Sequence, residues 1–298
     1  MILTAVIGLF AVGGIPVSAA DVVGKKPRHV WGGPSSVPNE RALTKRIWAP
    51  GIDDGYVPQG VTWADGAVYL SAYRSTEPKV GTGPCRIYKV DPESGAVLGQ
   101  FDLPSDCGHA GGLAYIGKGV LVVSDTRRLY RVDIAVAFGS GPTTDAVTAR
   151  IGLSAPLRGS FIDFDGSSLF VGAFDKDPRL ARGYYLPLSI FDTHRDAPVT
   201  EDVVIRAIPL PVEAQGAAFD KAGVLWVSAS SSRFGALQKL DSTTGAVLAS
   251  YEMVIGIEDL SFDTTGGLWS VSEAGSLRWS NWSKTFPVLF RTDVDRLK

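Results

Sequence analysis

Several kinds of chemistry are missing from this chain. It has no Gly-x-Ser-x-Gly elbow, no His-Glu-x-x-His, no Cys-x-x-Cys and no glycine-rich phosphate cradle ahead of a helix. Those gaps argue against serine-triad hydrolysis and nucleotide-dependent chemistry. Cysteines number two and histidines three in 298 residues. The 29 Lys and Arg are scattered and almost balance the 31 Asp and Glu, for a formal charge of −2, so there is no basic stripe to hold nucleic acid. No long run carries apolar residues at helical period, which removes a large helical domain from consideration.

Glycine and proline, by contrast, are plentiful at 34 and 18, the mark of a chain with many turns. They punctuate a five-fold echo: residues 60–73 (GVTWADGAVYLSAY), 112–125, 161–174, 216–229 and 259–272. In each, an apolar residue and an aromatic stand two apart, a turn follows, and an apolar run ends in small residues. Trp63, Tyr115, Phe164, Phe219 and Phe262 are the equivalent aromatics, at steps of 52, 49, 55 and 43 residues. A repeat of this length made of short strands and Gly/Asp turns predicts β-propeller blades.

Each unit divides into four antiparallel strands, A to D. In the first these are 58–63, 67–73, 85–90 and 97–104, with Asp-Pro-Glu-Ser-Gly (91–95) as the C–D turn and Ser-Thr-Thr-Gly (242–245) repeating it in the fourth. The second and third units have longer C–D links, 133–145 and 193–201. The fifth unit has no strand D, but residues 44–49 precede the first strand A as a D strand should. They are expected to pair with residues 288–293 and close a ring of five blades, leaving no exposed edge.

Residues 1–20 are apolar and uncharged and end in Val17-Ser18-Ala19-Ala20, so they are expected to be a signal peptide, and the protein secreted or periplasmic. Residues 21–43 form an extended lead-in, and 44–298 the propeller domain. Cys85 opens strand C of the first unit and Cys107 sits in the following D–A loop. Both loops emerge on one propeller face, so a Cys85–Cys107 disulfide is expected, contributing about 3 kcal/mol for a loop of this length. The alternative is two free buried thiols.

Propeller chemistry gathers where D–A and B–C loops surround one mouth of the channel. The ring position just before each strand A is held by Gln59, Gly111, Ser160, Gln215 and Glu258. The strand heads Gln59-Gly60-Val61-Thr62-Trp63 and Gln215-Gly216-Ala217-Ala218-Phe219 resemble those of gluconolactonase-type and strictosidine-synthase-like propellers. The resemblance implies a divalent cation, Ca²⁺, above the channel, with Glu258, Gln59 and Gln215 as its ligands here. It also implies a lactonase-like activity. The departures are that those families have six blades and offer more than one ring carboxylate.

Glu258, Asp259 and His109 are the candidate catalytic groups. Asp163 is the other inner-strand acid, and Asp259 and Asp163 have an equal claim as ties between blades. The B–C loops alternate long and short, with 74–84, 175–183 and 274–287 long enough to wall a pocket. In and beside them lie Tyr73, Arg74, Asp175, Arg179, Arg182, Tyr184, Glu273, Arg278, Trp279 and Trp282. Two Trp with Arg and carboxylates suit a sugar or an acidic small ligand, though the Trp pair equally suits packing of its own loop. Two functions follow: an exported lactonase- or glycan-directed hydrolase, with Ser160, Gln59 and Gln215 helping to bind a small molecule or carbohydrate, or a non-catalytic binding propeller for a glycan, peptide or partner protein. A monomer without membrane contact after cleavage is expected in either case.

Overall fold

A computed structural model describes residues 21–298, and the expected signal peptide lies outside the described residues. Five antiparallel sheets stand in a ring. The first four blades start with inner strands Tyr56–Ala64, Gly112–Tyr115, Phe161–Phe164 and Ala214–Phe219, and each continues outward through three more strands in chain order. The fifth blade starts with Ile257–Phe262, and each inner strand touches the inner strands on both sides, so the circle closes. The repeat count read from the sequence is the blade count of the structure.

The closing blade is composite. Strand Leu43–Trp48 lies antiparallel to Val288–Thr292, with Leu43 opposite Thr292 and Trp48 opposite Val288. This is the displaced strand D expected from the sequence. The lead-in adds something the sequence did not announce: Val22–Val23 runs parallel to that strand as a fifth member of the sheet. Short helices Ile134–Ala137 and Ile190–Thr193 occupy the C–D regions of the second and third blades, where the links are longer.

The apolar residues divide into five cores, each wedged between two neighbouring blades. Leu113 faces the core shared with blade one and Ala114 the core shared with blade three, an alternation that follows from the two-residue period of a strand. Both faces of each sheet are thus buried, which is why the inner strands read as nearly continuous apolar runs. The five repeated aromatics go one to a core: Tyr115, Phe262, Phe164, Trp63 and Phe219 each pack, partly buried, against a different cluster.

Glycine at the strand heads has a steric cause. A Cβ on Gly216 would lie 2.3 Å from Asp259 Cα, and one on Gly60 would lie 2.8 Å from Gly112 Cα. Neighbouring inner strands pass too closely there for any side chain. The matched C–D turns are equally specific: the carboxylates of Asp91 and Asp241 accept backbone N–H groups two and three residues ahead.

Candidate functional site

The D–A and B–C loops surround a cavity of about 390 Å³ at one mouth of the ring, here the loop mouth. Four of the five ring positions identified from the sequence approach it as expected, since Gln59, Ser160, Gln215 and Glu258 line it. His109, Tyr73, Glu273 and Arg278 complete much of the wall, with Thr126, Arg158 and Phe174 between them. Convergence of strand heads brings residues 200 positions apart into one cavity.

Its floor is a set of paired carboxyl and amide groups. Gln215 Nε2 donates to Glu258 Oε1 at 3.2 Å, and Gln59 Nε2 donates to Glu273 Oε2 at 3.2 Å and to Pro58 O at 2.8 Å. Trp279 Nε1 donates to the same Glu273 oxygen at 2.7 Å. Glu258 is 2% exposed and Glu273 8%, so both carboxyls are almost out of water. Burial raises the Glu258 pKa well above the usual carboxylate range, and the nearby Glu273 and Asp259 charges add to the rise. Burial also lifts Glu273, to about 7, against the opposing effect of its bonds from Trp279 and Gln59. Burial thus favours the protonated form of Glu258, while Glu273 is poised between its two forms near pH 7.

The wall has its own supports. His109 stacks on Tyr73 with ring centres 4.5 Å apart, and its Nδ1 lies 2.8 Å from Gly81 O. Enclosure lowers the His109 pKa, which favours the neutral imidazole. Arg158 forms an ion pair with Asp175, and Ser160 Oγ accepts the Phe174 N–H at 2.9 Å.

Other candidates stand outside the cavity. Asp259 faces the channel below the floor, where its Oδ2 accepts N–H groups from Val61 at 3.2 Å and Leu113 at 2.9 Å. Its carboxyl ties blade five to blades one and two, while its other oxygen, Oδ1, is buried without a partner. Asp163 does the same for blades three and four by accepting the Phe219 N–H at 2.8 Å. Arg74 points outward to Asp54 O, at 2.9 Å. Trp279 and Trp282 stack on each other with centres 4.9 Å apart, and Trp279 is bound to Glu273, so the pair buttresses the floor. Arg179 is paired with Asp177 and Tyr184 lies in the core.

Cys85 and Cys107 meet behind the His109 wall, but as free thiols without the expected bond. Their sulfurs and a carboxylate oxygen of Asp125 all lie within 4.8 Å of one another. A hydrogen bond with Cys107 and burial push the Cys85 thiol far up, so it is protonated. Asp125 is engaged by the N–H groups of Gly108, His109 and Ala110 at 3.3, 2.6 and 3.2 Å, which fixes the loop that presents His109.

Arg158, Thr126 and Phe174 are wall residues the sequence reading missed. A signal for Arg158 was present: it stands two residues before ring position Ser160, just as His109 stands two before Gly111. Thr126 belongs to the shortest B–C turn and adopts φ 39, with no sequence mark of its role.

A larger cavity, about 520 Å³, opens at the opposite mouth among the A–B turns. The five repeated aromatics line it together with Asp65, Asp163, Asp220, Asp263 and Lys221. Its acids are occupied with turn geometry: Asp220 accepts the Ala222 and Val224 N–H groups and the Trp226 indole, and Asp263 binds Arg291.

No protein-family model matches the chain, and no curated protein sequence matches it. Among solved structures it is similar to a glutaminyl cyclase from Myxococcus xanthus, with 12% identity and a TM-score of 0.57 over 84% of this chain and 94% of that one. A PQQ-bound aldose sugar dehydrogenase from Streptomyces coelicolor shares 16% identity, with a TM-score of 0.43 over 75% of each chain. At such identities the first likeness shows the fold alone, and the second carries no argument. The resemblance to gluconolactonase-type propellers gains no specific support, and the chain stands as a five-bladed β-propeller with enzymes among its structural neighbours.

Proposed function

We propose that this protein is a hydrolase of small carbonyl compounds, lactones foremost, which works by acid–base catalysis at the loop mouth. One observation carries the reading: two nearly buried carboxyl groups, Glu258 and Glu273, share one cavity, and burial raises both, with the Glu273 and Asp259 charges adding to the rise at Glu258. Paired carboxyls with separated pKa values are the pattern by which one site supplies an acid and a base together. Glu258, neutral, is the proton donor to the carbonyl or leaving oxygen. Glu273, ionised, is the base that takes a proton from water. Gln215 and Gln59 hold the two side chains in place, and the volume suits a small molecule and not a polymer.

The Ca²⁺ implied by the family resemblance fits this floor poorly. Calcium takes about 6–8 oxygen ligands, whereas both amides turn N–H groups toward the carboxyls. Among the described residues, the only group of three metal-ligating side chains is Cys85, Cys107 and Asp125. We therefore derive the reaction from the carboxyls. The buttressing role of the Trp pair disfavours the glycan reading as well.

The pH profile follows from the two shifts. Rate should rise with pH through about 7 as Glu273 ionises. The other ionisable groups nearby are His109, Asp259, Arg158 and Arg278. Stability should move the opposite way: folded carboxyls with raised pKa values bind protons that the unfolded chain releases, so stability declines from pH 5 to pH 8. The decisive assay sets lactones and a glutaminyl peptide, the latter for the neighbouring cyclase, against wild type and Glu258→Gln. Turnover of one of them should drop roughly 10²–10⁴-fold in the variant with an unchanged melting temperature. A variant with full activity refutes the assignment.

A further inference from the structure

Arg278 is a half-buried cation without a counter-ion. Its guanidinium sits at the wall of the Glu258 cavity, over the rings of Trp279 at 4.1 Å and Tyr73 at 5.5 Å. Nε donates to Glu77 O at 3.3 Å, Nη2 to Pro78 O at 3.0 Å, and Nη1 to the Tyr73 hydroxyl. Every acceptor is neutral, and Arg278 forms no ion pair among the described residues. The other wall arginine is different, since Arg158 is bound to Asp175.

The floor does not compensate for this charge. Among the described residues no ion pair joins Arg278 to Glu258 or Glu273, whose own donors are Gln215, Gln59 and Trp279. A guanidinium has five N–H donors, and three recorded bonds leave donors to spare. Two aromatic faces and two backbone carbonyls from the 75–84 loop hold the group rigidly, so a ligand need not order it. With one unopposed positive charge at hand, the matching ligand group is a monoanion of planar shape, which a guanidinium grips with two parallel bonds. A phosphate dianion would call for more cations than the wall supplies.

We propose that Arg278 is the receptor for a carboxylate, so that the ligands of this cavity are small hydroxy- or amino-acid derivatives with a free carboxylate. Calling those ligands substrates rests on the hydrolase reading; the binding itself does not. Bound carboxylate would sit between Arg278 and the acid floor, which orients the rest of the molecule toward Glu258 and Glu273. Arg278 thus chooses the ligand, and the carboxyl pair acts on it.

The test is equilibrium binding of two- to six-carbon hydroxy- and amino-carboxylates, each beside its primary amide, to the full chain. Wild type should bind at least one carboxylate ten-fold or more tighter than its amide. Arg278→Gln should erase that preference and Arg278→Lys keep part of it. Should Arg278→Gln fail to fold, wild type gives the answer: the preferred carboxylate, and not its amide, should shield Arg278 from phenylglyoxal as mapped by mass spectrometry. Glu258→Gln separates the two readings, because it should keep the carboxylate preference even if no compound is ever turned over. Absence of any carboxylate preference in wild type, its survival in Arg278→Gln, or unshielded Arg278 overturns the proposal.

Discussion

The two ends of the channel hold similar raw material and use it differently. Each has buried or half-buried acids, aromatic rings and a few cations. At the turn mouth Asp220 and Asp263 accept several backbone N–H groups, an indole or an arginine, whereas buried Asp163 is raised to about 7 in spite of its N–H donors. Asp263 there is held below the usual carboxylate range by Arg291 and turn donors in spite of its burial. At the loop mouth the carboxyls of Glu258 and Glu273 receive single amide or indole donors, and burial wins. The carboxyl bound by an arginine is held down, and the buried ones that receive only neutral donors are raised.

The sharpest way to break this contrast is at the waist between the two ends. Asp259→Ala would strip the acceptor from the Val61 and Leu113 amides, each buried, at roughly 1–3 kcal/mol apiece. Asp259→Asn keeps an acceptor oxygen and should cost far less, so urea denaturation of the two variants separates a structural link from a catalytic acid. If Asp259→Asn is as stable as wild type yet inactive, the waist belongs to the site after all.

A middle-sized effect concerns the wall. Oxidation of the two adjacent thiols to a Cys85–Cys107 bond should add about 3 kcal/mol and hold the His109 loop, which Asp125 already fixes. Non-reducing peptide mapping of the protein from an oxidising compartment should recover the joined peptides, and free thiols there would count against the bond. The smallest effect is expected at the other end. Phe219→Leu, which trims one ring of the turn mouth, should lower the melting temperature by a few degrees and leave kcat and KM as they were. A loss of activity in that variant would mean the turn mouth takes part in function.

The fold was legible because the repeat obeys simple rules of spacing. Strand-head glycines, Asp-led turns and alternating apolar positions recur at blade length, and residues 44–49 could be placed because one strand D was missing elsewhere. The site was legible where it is tied to that repeat: Gln59, Ser160, Gln215 and Glu258 stand at one strand position. It was less so where loops decide direction. Arg74 and Trp282 lie on the right loops but turn outward or behind the floor, and side-chain aim within a loop has no period to read. Glu273 reads from the sequence as a ligand-binding residue of the blade-five loop, without its place in the floor. Its bonds to Gln59 and Trp279 join blades one and five, which no local pattern records.

The composite fifth blade has a consequence for biosynthesis. Leu43–Trp48 emerges from the ribosome about 240 residues ahead of its partner Val288–Thr292. At about 5–20 residues per second, the early strand waits roughly 10–50 s on the ribosome-bound chain with its edge unpaired. Lys45 and Arg46 sit in the middle of that strand, and charges on an edge discourage pairing with a foreign strand. The latch of the ring carries its own guard against the wrong partner during the interval before the right one exists.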